Sequence, residues 1–585
     1  MKRFLITTAL EETWRDDVPV LFLGGWCQIY VRKEKWQKMD AEVVPYHWDE
    51  RKKLYQDYLY LQKLHEEIMI ELSDQLNKLH NVNFSVRYWQ ILVGSWLGYF
   101  LQILFDRWAM LQKAISNYEI IGSRVILSNG YSPVPNDKAD FERKIITDEW
   151  NEAIWGELLS FTSVPIEWVD RSIGVRDTSL REAYRAGYAR KLKKILAFLL
   201  HKIYGVINIK EKYFFITTYL NLKQNILLQF KLGQLPFLWT SAPVPLVDVD
   251  YVARKQQLIP GVGSKNFPGI ARIMLNRHMP AIYREGYQTL IKVTHKLPWT
   301  KNPKAIFTSN SWSSDDVFKA WAAEKVEDGT PLIIGQHGGN YGMALWSFTE
   351  DYQIAIANKY LTWGYSGENN QANLIAVGNF KNLGSSQVID QNGVALLVEM
   401  CIPRTSYHMY SSPVAAQYLD YFEDQCRFVK ALPAELQSKL VVRLYPEDYG
   451  WCQRERWQER YPYIRLDAGI TPIKTLVSKS RLYISTYNAT TYLESLFLNV
   501  PTIIFWNPSH WELRDSAKPF FERLKLVGIF HNTPEGAARQ VERVWNDVDA
   551  WWNNVETQAI RIEFCKNYSA SSNDYLGALV KAIAI

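Results

Sequence analysis

Three polar segments of this chain have residue types and spacing that could handle a charged or hydroxylated ligand. The first is Ser485-Thr486-Tyr487-Asn488-Ala489-Thr490-Thr491-Tyr492-Leu493-Glu494. It follows an apolar run that reads as a strand, Arg481–Ser485, and it opens a helix over Thr490–Leu498. Backbone N–H groups and hydroxyls converge there, where the helix dipole favours an anion. Thr486, Asn488, Thr490 and Thr491 are therefore candidates to hold a phosphate. Glu494, one turn in, could accept hydrogen bonds from ribose hydroxyls. A helix cap uses one polar side chain; this segment offers more than a cap requires.

The second segment is Arg443-Leu444-Tyr445-Pro446-Glu447-Asp448-Tyr449-Gly450-Trp451. A strand ends in a Tyr-Pro corner that carries two carboxylates and several aromatic rings. Arg443 could complement a phosphate, with Tyr445 and Glu447 beside it and Tyr449 or Trp451 stacked on a base. Equally, the corner could be a rigid turn with Arg443 paired to Glu447. The third segment, Gly335-Gln336-His337-Gly338-Gly339-Asn340-Tyr341-Gly342, also follows a strand. Glycines allow close backbone approach, and a histidine among them can act as a base near neutral pH. His337 is the first candidate base, with Gln336, Gly338, Gly339 and Asn340 forming an acceptor-side loop. Asp315 and Asp316 are alternative bases, although one of them reads as the cap of the helix Asp315–Lys325.

The elements around these segments alternate. From residue 304, short unbroken apolar runs such as Pro331–Gly335, Val394–Met400, Leu440–Leu444 and Thr502–Phe505 are separated by helical stretches. That pattern predicts parallel sheets covered on both faces. In such sheets ligands sit beyond the carboxyl ends of strands, where all three segments fall. A break near residue 385 divides the series into two Rossmann-like domains facing across a cleft. Leu54, Tyr58, Leu61, Leu64, Ile68, Leu72, Leu76 and Leu79 mark a long amphipathic helix. The resulting division is an N-terminal α/β domain over 1–385, carrying a helical insertion at about 50–300, and a C-terminal domain over 386–585 with terminal helices.

Composition narrows the function classes. The 585 residues are 47% hydrophobic and 22% charged, which is globular, and the net charge of +6 is too mild for a dedicated nucleic-acid binder. The 23 tryptophans and 34 tyrosines permit sugar stacking without requiring it. Five scattered cysteines, with no CxxC, read as reduced thiols of a cytoplasmic protein. The apolar stretch Ile91–Phe105 is shorter than the roughly 20 residues of a membrane span and reads as a buried helix. A basic amphipathic stretch near 185–202 could lie on the inner membrane surface, or could simply expose a solvated basic face. No dinucleotide fingerprint, Walker loop, nucleophile elbow or zinc motif is present. No metal and no cofactor is expected.

With these segments in view, the chain resembles a family of bacterial surface-polysaccharide transferases found in O-antigen-type clusters. The likeness rests on Phe4-Leu5-Ile6-Thr7-Thr8, Val20-Leu21-Phe22-Leu23-Gly24, Val44-Pro45-Tyr46-His47-Trp48, Gly335–Gly342 and Ser485–Glu494. More distantly, residues 300–510 resemble GT-B transferases that use CMP-linked Kdo or sialic-like ulosonic acids, and CDP-glycerol polymerases. Those relatives carry a His-Pro pair where this chain has Tyr445-Pro446. The resemblance implies a GT-B-like, metal-independent glycosyltransferase with a nucleotide-sugar donor and a glycan or lipid-linked glycan acceptor. A CDP-glycerol-type polyol-phosphate transferase and a non-catalytic glycan-binding protein are the alternatives.

Overall fold

A computed structural model describes residues 2–128, 131–171, 212–256, 258–259, 266–367, 373–381, 387–570 and 574–584. The described residues form three parallel sheets. The first contains β1 (Arg3–Ile6), β2 (Val20–Phe22), β3 (Ala41–Val43), β4 (Ile120–Ser128) and β5 (Ile166–Arg171), in the order β3-β2-β1-β4-β5. The second contains β6 (Lys212–Ile216), β7 (Pro303–Thr308), β8 (Leu332–Gly335), β9 (Lys359–Thr362) and β10 (Leu374–Ala376), lying side by side in chain order. The third contains β11 (Val394–Val398), β12 (Leu440–Arg443), β13 (Arg465–Asp467), β14 (Ser480–Ser485), β15 (Thr502–Phe505) and β16 (Phe530–His531). Its order is β13-β12-β11-β14-β15-β16.

The parallel α/β class is the one the unbroken apolar strands predict, because the central strands are buried on both faces. Phe4, Leu5, Ile6, Ile306, Leu332, Ile333, Leu396, Ile484 and Ile503 are all buried. Residues before 385 carry two sheets, however, and the interval 50–300 is not simply helical. It supplies β4 and β5 to the first sheet and β6 to the second. Chain order reverses between β1 and β4 in the first sheet and between β11 and β14 in the third. These two switch points open crevices in which α/β proteins bind ligands. The second sheet has no such reversal.

The helix Arg51–His80 buries Leu54, Tyr58, Leu61, Leu64, Ile68, Leu72 and Leu76 along one face, whereas Leu79 is exposed beside the left-handed cap Asn81. The helix Ser95–Asn117 is buried on every side from Ser95 to Arg107. It therefore lies inside the protein, and among the described residues no helix is long and apolar enough to cross a membrane. Its buried charges are mutually satisfied, as burial requires. Asp106 accepts Tyr46 Oη at 2.6 Å, lies 3.0 Å from His47 Nε2, and pairs with Arg107 at 2.6 Å. The Tyr46-His47 motif thus has a structural task. Two further helices, Lys138–Lys144 and Asp148–Leu159, precede β5. The basic stretch near 185–202 lies outside the described residues. All five cysteines are buried and free. At the C-terminus, the helix Tyr575–Ile583 returns to the second sheet's layer, where Lys359 Nζ donates to Ala582 O at 2.8 Å.

Candidate functional site

The loops that follow β8 and β14 meet. Their contact is possible because residue 339 is a glycine, with its backbone against Ala489 and Thr490 at the start of the helix Thr490–Phe497. Ala489, at the N-cap, provides no side-chain cap, so the first turn keeps its electropositive end. Two of the three polar segments are therefore brought together from different sheets.

Within the β14 loop the side chains divide. Thr486 is buried with its hydroxyl engaged inward, donating to Val398 O at 2.9 Å and lying 2.5 Å from Tyr421 Oη. This ties β14 to β11 across the switch point and removes Thr486 from the expected phosphate ligands. Asn488 is buried; its Oδ1 accepts Tyr492 Oη at 3.0 Å, and its Nδ2 has no partner. Thr491 donates to Tyr487 Oη at 3.0 Å. Glu494 pairs with Lys381 at 2.8 Å, and Lys381 follows β10 in the second sheet. Nothing in the sequence marked Lys381, because no motif surrounds it.

In the β8 loop, His337 is half-buried among Trp312, Tyr341 and Tyr219, with ring centroids at 5.8, 5.5 and 6.4 Å. Burial, partly offset by Gln353, together with the charge of Lys381 holds its pKa down at about 4. The imidazole is thus neutral at pH 7, and Nδ1 has no hydrogen-bond partner. Gln336 braces the loop: its Oε1 accepts Trp363 N at 2.7 Å and its Nε2 donates to Gly338 O at 2.8 Å. Gly338 packs under Tyr341 and the Asn340 side chain.

Of the two alternative bases, Asp315 is the helix cap and accepts Phe318 N at 3.0 Å, with burial raising its pKa to about 6. Asp316 is wholly buried. Its carboxylate binds Lys319 Nζ at 2.6 Å, Tyr283 Oη at 2.6 Å and Lys138 N at 2.8 Å. Asp316 is thus held inside the protein, with no exposed surface, by three donors, one of them a buried cation. It is a structural group, contrary to the expectation that it could serve as a base.

The Tyr445-Pro446 corner also departs from its sequence reading. Arg443 donates to the carbonyls of Gly469 and Thr471 at 3.0 and 3.1 Å and lies 3.8 Å from Asp467, not beside Glu447. Arg443, Val398 and Ser485 stand level across β12, β11 and β14, so Arg443 borders the crevice at the switch point. Tyr445 and Glu447 are exposed. Trp451 is buried, donates to Ile402 O at 2.8 Å and stacks on Tyr418, which excludes it from base stacking. Tyr445 and Tyr449 remain as a stacked pair at 6.3 Å.

A third loop joins the assembly. Arg404, after β11, donates from Nε to Tyr449 O at 3.1 Å, binds Trp26 O through Nη1, and pairs with Asp148 at 2.7 Å. The corner of the third sheet is thereby fastened to the first sheet. Among the described residues no cluster of histidine, cysteine, aspartate and glutamate could hold a metal ion.

In α/β proteins, strand-end loops and helix N-termini are where anionic ligands commonly bind, and here two such loops converge on an uncapped helix N-terminus. The chain belongs to the LIC12162 family of transferases, which it matches over residues 3–583. No curated protein matches its sequence. Among solved structures it is similar to that of Acinetobacter baumannii MurG, with 11% identity over 66% of this chain and 95% of that one. The TM-score of that pair is 0.27.

Proposed function

We propose that this transferase is a GT-B-like glycosyltransferase of bacterial surface-polysaccharide synthesis. It moves a sugar, a Kdo- or sialic-like ulosonic acid, from its CMP conjugate to a glycan or lipid-linked glycan. The observation that carries the reading is the meeting of the β8 and β14 loops at Gly339 and Thr490, with Lys381 beside them. A glycosyl donor needs its leaving phosphate held by fixed dipoles and cations. The first turn at Thr490 and Thr491, the unpartnered Asn488 amide and Lys381 supply these. The nucleotide then extends over the β11 and β14 ends towards Arg443, Tyr445 and Tyr449. Glu494, placed by Lys381, meets the ribose. His337, neutral and with Nδ1 unpartnered, receives or orients the acceptor hydroxyl from the second sheet.

Calorimetry and thermal shift with CMP, CDP, UDP, GDP and dTDP on the full chain test the reading. A cytidine nucleotide should bind, and Thr490→Ala should weaken it. Absence of binding by all five would remove the donor assignment. Peripheral contact with the inner membrane through residues 185–202 belongs to the same reading. Liposome flotation tests it: loss of anionic-lipid binding is expected on charge reversal of Lys191, Lys193 and Lys194. Unchanged flotation would refute the contact.

A further inference from the structure

The donor reading uses the switch point of the third sheet and leaves that of the first unassigned. There, between the ends of β1 and β4, lies a cavity of about 80 Å³ whose lining includes Leu10, Ile126, Pro133, Glu149, Glu152 and Ala153. Its floor is a built polar group. Glu152, only 3% exposed, accepts Thr8 Oγ1 at 2.7 Å and Thr7 Oγ1 at 3.3 Å through Oε2, and Ile126 N at 3.3 Å through Oε1. The threonines immediately follow β1 and Ile126 lies on β4, so this one carboxyl bridges the strands between which the chain order reverses. The Thr7-Thr8 pair, prominent in the sequence, thereby acquires a task.

We propose that this cavity binds a neutral hydroxyl group of the acceptor, with Glu152 as its hydrogen-bonding partner. The assignment to the acceptor rests on the transfer reading above; the binding of a hydroxylated ligand does not. Three features select that chemistry. The volume holds about two waters at ~30 Å³ each, which matches a hydroxymethyl group. Among the described residues no basic side chain lines it, so nothing there would compensate the charge of a phosphate or carboxylate. Burial raises the Glu152 carboxyl to about 7, so near neutrality it can both donate to and accept from a hydroxyl.

The helix Asp148–Leu159, which lines the cavity, also reaches the third sheet. Glu152 lies one helical turn beyond Asp148, and residues four apart share a helix face. Asp148 holds Arg404, which holds Tyr449 O at the corner of the third sheet. A ligand anchored by its end at Glu152 has the Asp148–Arg404 contact to the third sheet on the same helix face.

Saturation-transfer NMR on the full chain, with glycerol as the probe, tests the proposal. Transfer to glycerol is expected for the wild type. It should fall at least tenfold in Glu152→Gln, which keeps an acceptor for Thr8. It should fall likewise in Ala153→Leu, which fills the cavity from a partly exposed position and leaves the carboxyl in place. Circular dichroism checks that both variants are folded, and CMP affinity measured alongside should be unchanged in both. No transfer to the wild type, or transfer retained in either variant, would overturn the proposal. Failure of CMP binding with this pattern intact would instead strike the donor reading.

Discussion

Gly339 and Thr490 touch across two sheets: a Cβ built on Gly339 would lie 2.5 Å from Thr490 N and 2.6 Å from Ala489 C. Both neighbours are backbone, so neither can yield by changing a rotamer. The β8 loop and the start of the helix Thr490–Phe497 consequently have to be displaced together if residue 339 gains a side chain.

Gly339→Ala should therefore destabilise the protein by about 1–3 kcal/mol, the usual range for overpacking. Urea denaturation followed by tryptophan fluorescence would measure it. Nucleotide affinity should fall with it, because the displaced element is the proposed phosphate site. A variant as stable as the wild type would mean that the two loops are not in contact in solution.

His337→Ala and Thr490→Ala should separate chemistry from binding. Loss of a general base costs about 10²–10⁴ in rate while leaving donor affinity nearly unchanged. His337→Ala is expected to bind CMP normally and to lose transfer, whereas Thr490→Ala loses CMP affinity. Normal turnover in His337→Ala would move the base to Asp315 or to the substrate, since Asp316 is wholly buried. Loss of CMP affinity in His337→Ala would place the histidine in the donor site.

Asp316→Asn should destabilise the fold, not merely slow a reaction. Removing one member of a buried ion pair strands the other and costs about 3–5 kcal/mol. Lys319, fully buried and 2.6 Å from the Asp316 carboxylate, would be the stranded partner. Replacing both with apolar residues of similar size, Asp316→Leu with Lys319→Met, should recover part of the loss. Thermal melts of the three variants test this. A stable, inactive Asp316→Asn would restore a catalytic role.

Glu399 directly follows β11 and is buried, with Trp457 Nε1 donating to Oε2 at 3.1 Å and Oε1 unpartnered. Burial raises its pKa to about 8. The folded state thus holds a proton that the unfolded chain, near the ordinary value of about 4.3, has released. Stability from this group is complete below the unfolded value and is lost as pH rises through about 8. The slope approaches ~1.4 kcal/mol per pH unit between the two values. Glu399→Gln should remove this contribution. Denaturation at pH 5, 6, 7 and 8 should show a flatter decline for the variant; parallel curves would disprove the assignment.

Much of this protein could be read from its residues in order. Unbroken apolar runs such as Leu332–Gly335 and Val394–Val398 require burial on both faces, and therefore parallel sheets between helices. The spacing of Leu54 to Leu76 fixed a long amphipathic helix, and the polar stretches after β8 and β14 had to lie at strand ends. These are local properties, carried by neighbouring side chains and the backbone periods of 2 and 3.6 residues. What only the tertiary structure decided concerns partners far apart in the chain. Asp315 and Asp316 are adjacent and chemically identical, yet one caps a helix and the other is enclosed by Tyr283, Lys319 and Lys138. Thr486 and Thr490 look equivalent in sequence, but the first turns inward to Val398 and the second meets Gly339. Glu152 lies in an ordinary helical stretch, without any motif, and becomes a buried carboxyl because β1 and β4 part above it. The fate of each such group depends on desolvation and on which donors surround it, and packing of the three sheets sets both.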